Sequence, residues 1–207
     1  MKPAFVAALA AVAAAVPATA AADPPSRITI VAVFDPIDYG EDAYVNGQVF
    51  QDTPAGQVVT LEQSAAPFTE WAAVAQVTTD AEGFYSIKLH PTQTMLYRTS
   101  SQAASSERTV NVSVVPRISF KASRAGSASV RFSGTFAPAL DGQRVAIQRR
   151  TNSGAWQTVA RAALQGGKTF QGLIRAGHPL TLRASFQTNG ALATAASKAV
   201  TVHVGHR

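Results

Sequence analysis

"TTDAEGFYSIKL" (residues 78–89) decides the fold. Asp80 and Glu82 stand beside Gly83, so the stretch is either a reactive carboxylate pair or the corner of a β-hairpin. After the glycine, Tyr85, Ile87 and Leu89 alternate with Phe84, Ser86 and Lys88. That is the period of two of a half-buried strand. Before it runs "EWAAVAQV" (70–77), which reads as strand despite its alanines. Trp-x-x-Val puts its two large residues on opposite parities, so a bulge or a partly exposed Trp71 is expected there. Asp and Gly between two strands suit a tight connection with positive φ, and the stretch reads as a hairpin.

The same pattern is written twice. "VNGQVFQDTPAGQVVTLEQ" (45–63) returns as "FSGTFAPALDGQRVAIQRR" (132–150), and "EWAAVAQV" returns as "AWQTVARA" (155–162). Gly47 matches Gly134, Gly56-Gln57 matches Gly142-Gln143, Trp71 matches Trp156, and Tyr97-Arg98 matches Leu182-Arg183. The connection "QGGKTF" (165–170) keeps the glycine of the opening hairpin and lacks both acids, so chemistry shared by the two copies does not rest on Asp80 and Glu82. Val110, Val112 and Val114 alternate with polar neighbours, as do Val200, Val202 and Val204. Turn clusters such as "DTPAG", "HPTQ", "TNSG" and "AGHP" lie between the runs. About seven short strands per copy, with turns every ~8–12 residues, predict an antiparallel sandwich. Pro116 marks the boundary.

"AGQVVTLEQ…EWAAVAQVTTDAEGFYSIKL…YRTS…RTVNVSV" resembles the immunoglobulin-like β-sandwich repeats of secreted and surface proteins from high-GC bacteria. The second copy resembles them more loosely. The resemblance implies an all-β chain of two tandem immunoglobulin-like antiparallel sandwiches, modules that serve as spacers, stalks or binding units. It carries over no functional residue, because the motif is a folding signature, and function has to be argued from sites.

The N-terminus reads as an export signal. Met1-Lys2 begin it, an apolar Ala/Val/Leu run follows from Phe5 to Val16, and "ATAAA" (18–22) offers small residues for cleavage. This order is that of a secretory signal peptide, and the apolar run is short of the ~20 residues a membrane span requires. The expected division is a cleaved signal over 1–22, a short segment over 23–27, an acidic sandwich over 28–115 and a basic one over 116–207. The expected location is extracellular or in the cell envelope, with no transmembrane segment in the mature chain. The chain has no cysteine, so no disulfide supports it.

Charge divides with the repeat. From Arg27 to Val115 there are ten Asp/Glu against four Lys/Arg, a net of −6; from Pro116 to Arg207 there are thirteen Lys/Arg against Asp141 alone, a net of +12. Arg144, Arg149, Arg150, Arg161, Arg175 and Arg183 fall on or beside expected strands, and are candidates for holding an anionic polymer, polysaccharide or acidic protein surface. The aromatics Phe120, Phe132, Phe136 and Phe170 are core positions by parity, which weakens a nucleic-acid reading built on stacking. The opposite candidate is "FDPIDYGEDAY" (34–44). Its Asp35, Asp38, Glu41 and Asp42 are a weak calcium candidate, since clustered oxygens suit that ion. Without strict calcium-loop spacing, an acidic loop between the first two strands is the plainer expectation.

Other chemistry is not supported. Gly167-Lys168-Thr169 lacks the earlier glycine of a phosphate loop, position 162 being Ala. His90, His178, His203 and His206 read as loop or tail residues. No nucleophile elbow and no cysteine nucleophile are present. Glu62, Glu70, Asp80 and Glu82 sit at strand edges or face outward, and do not compose a glycosidase pair. The expected protein is non-catalytic and without cofactor, an extracellular interaction or structural module. Two alternatives stand beside it: head-to-tail self-association of acidic on basic domains, and an enzyme or enzyme inhibitor working through loops.

Overall fold

The computed structural model describes residues 26–102, 104–106 and 108–204; the expected signal sequence and His206 lie outside the described residues. Among the described residues every regular element is a strand. Up to Pro116 these are β1 (Arg27–Ile28), β2 (Val31–Val33), β3 (Ile37–Asp38), β4 (Ala43–Phe50), β5 (Val58–Ala65), β6 (Ala72–Thr78), β7 (Phe84–Leu89), β8 (Met95–Ser100), β9 (Val110–Val112) and β10 (Val114–Val115). After it come β11 (Arg117–Arg124), β12 (Ser129–Ala137), β13 (Arg144–Arg150), β14 (Trp156–Ala163), β15 (Thr169–Arg175), β16 (Leu180–Phe186), β17 (Ala195–Ala196) and β18 (Val200–Val202).

In the first half, β4 pairs with β1 and β2 along one side and with β7 along the other; a second sheet runs β6-β5-β8-β9. In the second half, one sheet is β11-β12-β15; the other is β14-β13-β16, with β17 and β18 on the far side of β16. These pairings are antiparallel, and no strand pairing among the described residues crosses Pro116. The all-β architecture with several antiparallel sheets is consistent with a β-sandwich. A small parallel pair, β3 with β10, stands apart. It changes one expectation: the acidic stretch is not wholly loop, because Ile37 and Asp38 pair with Val114 and Val115.

Alternation builds the core. Val45, Val49, Val59, Leu61, Tyr85, Ile87 and Tyr97 are buried in the first half, and Val130, Phe132, Val145, Ile147, Phe170 and Leu182 in the second. Phe120 stacks on both Phe132 and Phe170 at 6.4 Å between ring centroids. Burying side chains of this size contributes about 1.5–3 kcal/mol each.

The hairpin at 78–89 forms as its residues dictate. Asp80 Oδ1 accepts the Phe84 N–H at 2.7 Å and the Glu82 N–H at 3.2 Å. Gly83 sits at φ +86°. The bulge next to the tryptophan is present in both copies: Leu61 pairs with Ala75 and Glu62 with Ala73, leaving Val74 extra; Ile147 pairs with Ala160 and Gln148 with Thr158, leaving Val159 extra. Both bulges lie on edge strands, where they interrupt an open ladder.

The halves also touch. The Thr94 N–H donates to Ala191 O at 2.7 Å, the Ala193 N–H donates to Val114 O at 2.8 Å, and Arg117 lies 3.3 Å from Glu41. The loop that reaches across is held by its own side chains, with Asn189 Oδ1 accepting the Leu192 N–H at 2.9 Å and Thr188 Oγ1 donating to Leu192 O at 2.8 Å.

Tyr97 yields a pH prediction. Its burial pushes the phenol up to about 12, against about 10 for a free tyrosine. A phenol raised in the fold ionises first in the unfolded chain. Its contribution is therefore full below pH ~10 and lost as pH rises through about 12. Leu182 occupies the matching position, so Tyr97→Phe is expected to fold. Its alkaline unfolding midpoint, followed by circular dichroism, should move upward; an unchanged midpoint excludes Tyr97 as the sensitive group.

A candidate anionic-ligand face

Strand β13 is regular, so Arg144, Ala146, Gln148 and Arg150 share one face, while Val145 and Ile147 point into the core. Arg161 lies opposite Ala146 on β14, and Arg183 lies opposite Gln148 on β16. The register thus brings Arg144, Arg150, Arg161 and Arg183 onto the outer face of one sheet, with Trp156 opposite Arg150. None of the four has an acidic partner among the described residues, and Asp141 is the only acid in this half of the chain.

Arg149 and Arg175 belong elsewhere. Arg149 has the inward parity, but β13 ends one residue later and its guanidinium meets Gln157 Oε1 at 3.1 Å. Arg175 closes β15. With His178 they line a notch of about 240 Å³ at the open end of the sandwich, walled by Val159, Ile174 and Leu180. A second cleft, of about 640 Å³, adjoins it and shares Arg149 and His178 while adding Arg150. The six candidate arginines therefore form a face of four and a notch of two, joined through Arg150.

Arg183 is tied down. Its guanidinium lies 4.1 Å over the Trp156 ring, and its Nε donates to Gln148 Oε1 at 2.8 Å. The first copy repeats the arrangement: Arg98 lies 4.4 Å over Trp71, and its Nε donates to Glu62 Oε2 at 2.9 Å. Stacking on an aromatic face with a fixed in-plane acceptor suits arginine. One exchange separates the copies. Glu62 neutralises Arg98, and the Arg98 guanidinium hydrogen-bonded to it holds the Glu62 carboxyl below its ordinary range. Gln148 accepts the same bond and leaves the Arg183 charge uncompensated. Gln148→Glu should therefore raise stability by a few tenths to ~1 kcal/mol and reduce retention on an anionic matrix. Thermal unfolding and salt elution measure both, and unchanged elution would remove Arg183 from the face.

The acidic candidates do not converge. Asp35 Oδ1 accepts the Ser113 N–H at 2.7 Å. Asp38 lies in the β3–β10 pair, and Glu41 meets Arg117. Asp42 lies 2.7 Å from Lys88 Nζ and 3.1 Å from His90 Nδ1, and these two partners, Lys88 first, lower its carboxyl pKa. Among the described residues no group of three or more His, Asp or Glu side chains is placed to hold a metal. Glu62 and Asp80 are engaged as described, and Glu70 lines a separate cleft with Pro67 and Trp71. Gly167, Lys168 and Thr169 turn directly into β15, with no helix behind them.

Sequence reading missed the paired arginine–tryptophan stacks. The signals were present in the repeat, as Trp71/Trp156 and Arg98/Arg183, but the acceptor on the neighbouring strand emerges only from the register. Compared with protein-family models and with curated proteins, the chain finds no match.

Proposed function

We propose that the protein is an exported, non-catalytic pair of immunoglobulin-like sandwiches that holds an anionic extracellular polymer on the outer face of its second half. The carrying observation is the alignment of Arg144, Arg150, Arg161 and Arg183 on one sheet face without a facing carboxylate. A flat array of cations favours a polymer with repeated phosphate, sulfate or carboxylate groups. Nucleic acid is the weaker choice, because Phe120, Phe132, Phe136 and Phe170 are buried and offer no stacking platform. Head-to-tail self-association is also weaker, because Asp35, Glu41, Asp42 and Glu62 are already engaged within the chain.

The test is retention of the full chain on immobilised dextran sulfate across a salt gradient. Binding at low salt with elution as salt rises supports the reading. Passage through the column at low salt overturns it. Sedimentation at low and high salt separates self-association, which predicts a heavier species at low salt without added polymer.

A further inference from the structure

We propose a second binding site, for a neutral glycan, on the sheet face of the first half above Gly47. This site is independent of the arginine face. Its cleft of about 600 Å³ is lined by Val31, Asn46, Gln48, Thr78, Phe84 and Ser86 among others. The strand register sets these side chains in rows, Val31 beside Asn46 beside Ser86, and Gln48 beside Phe84. The floor of the cleft is the β4 backbone at Gly47, whose Cβ position faces the other way, toward Tyr85, and the strand beside β4 is interrupted at Thr29, whose hydroxyl takes the Gln48 N–H at 3.0 Å.

The lining selects its ligand. Phe84 is 51% exposed and Val31 57% exposed, and both line the cleft as its apolar wall. Beside them the amides are fixed with free valences. Asn46 Oδ1 accepts the Ser86 hydroxyl at 2.8 Å, leaving its N–H groups to donate. Gln48 Nε2 donates to Glu82 O at 2.9 Å, leaving its carbonyl to accept. The one charged lining group, Asp80, is occupied by the backbone N–H groups of Glu82 and Phe84. Beyond the cleft, Lys88 is paired with Asp42. An anion finds no available cation there, and a lipid chain would leave the amides unpaired. A peptide cannot add a strand at the floor, because β4 is paired on both sides. A sugar ring offers a C–H face for Phe84 and hydroxyls for the amides, the usual division between apolar walls and a few placed polar groups.

The repeat supplies an internal control. The matching cleft above Gly134 is smaller, about 310 Å³, and is lined by Lys121, Ser133, Thr135, Thr169 and Gln171. Thr169 stands where Phe84 does, and Lys121 where Val31 does. It lacks the aromatic wall and is assigned no glycan.

Calorimetric titration of the full chain with cellohexaose, chitohexaose and maltohexaose tests the site. Saturable binding of at least one is expected. Phe84→Ala and Asn46→Ala should each weaken it about ten-fold, while Thr169→Ala leaves it unchanged and dextran sulfate retention is unaltered in all three. Both first-half side chains are solvent-facing, and circular dichroism checks that each variant is folded. Absence of binding to all three sugars overturns the proposal, as does binding that survives both first-half substitutions. So does a concentration-dependent dimer that Phe84→Ala abolishes, since the face is then a contact between copies.

Discussion

Gly134→Ala should destabilise the second half by about 3 kcal/mol, the upper part of the usual range for forcing volume into a packed core. A Cβ at Gly134 would sit 2.2 Å from Ser119 O, and 2.3 Å and 2.8 Å from two carbons of the Phe170 ring. The carbonyl cannot retreat cheaply, because Ser119 and Phe120 are in ladder register with Thr135 and Gly134. Nor can the ring, which is 1% exposed and stacks on Phe120. For a unit of roughly 90 residues such a loss lowers Tm by roughly 12–24 °C. Gly47 stands in the same relation to the first half: an added Cβ would lie 2.0 Å from Thr29 O and 2.3 Å from the Tyr85 hydroxyl oxygen. That hydroxyl also bonds Thr99 Oγ1 at 2.9 Å, so Gly47→Ala should be at least as damaging. Gly126→Ala and Gly177→Ala are the controls, since an added Cβ there meets nothing within 4 Å; each is expected within ~0.5 kcal/mol of the parent. Calorimetric unfolding measures the series. Gly134→Ala melting within about 3 °C of the controls would show that this crossing tolerates a side chain.

The match of Gly47 to Gly134 was readable in the sequence; its reason was not. Alternation identified the aromatic partners Tyr85 and Phe170 as core residues, but only the register sets each directly opposite its glycine. The bulges were legible because Trp-x-x-Val violates period two, and a bulge is the local way to restore it. The pairing of β3 with β10 was not, since two-residue strands carry no period and their partners lie far apart in sequence. The candidate site divides the same way. Six arginines without acids were visible as composition, but their division into a face of four and a notch of two emerges only from the register and the cleft lining. What sequence could not supply was the fate of the acids. Asp35 is used by Ser113, Asp42 by Lys88 and His90, and Glu41 by Arg117, partners that are distant along the chain. A cluster of carboxylates in sequence was therefore not a cluster in space.

Replacing Arg144, Arg150 and Arg161 together by glutamine should weaken binding to dextran sulfate about 100-fold at low salt, taking about 1 kcal/mol for each cation near an anionic surface. All three are solvent-exposed and none has an acidic partner among the described residues. The substitution therefore breaks no ion pair and should leave Tm nearly unchanged. Electrostatic binding also fixes how the loss depends on salt. Each neutralised contact contributes to the salt slope, so the triple variant should lose about three units of slope if each arginine meets one anionic group, taking the DNA value as a guide. A non-electrostatic contact would instead give a loss of affinity that salt does not alter. Arg149→Gln with Arg175→Gln separates the notch from the face. If the polymer lies along the sheet, this pair should cost less than the triple, because the notch opens at the end of the sandwich and only Arg150 borders both. If the pair costs more, the notch is the principal site and the polymer is held by a terminal or branching anionic group. If neither variant changes retention, the charge imbalance between the halves has no role in binding, and the sheet face is only a soluble basic surface.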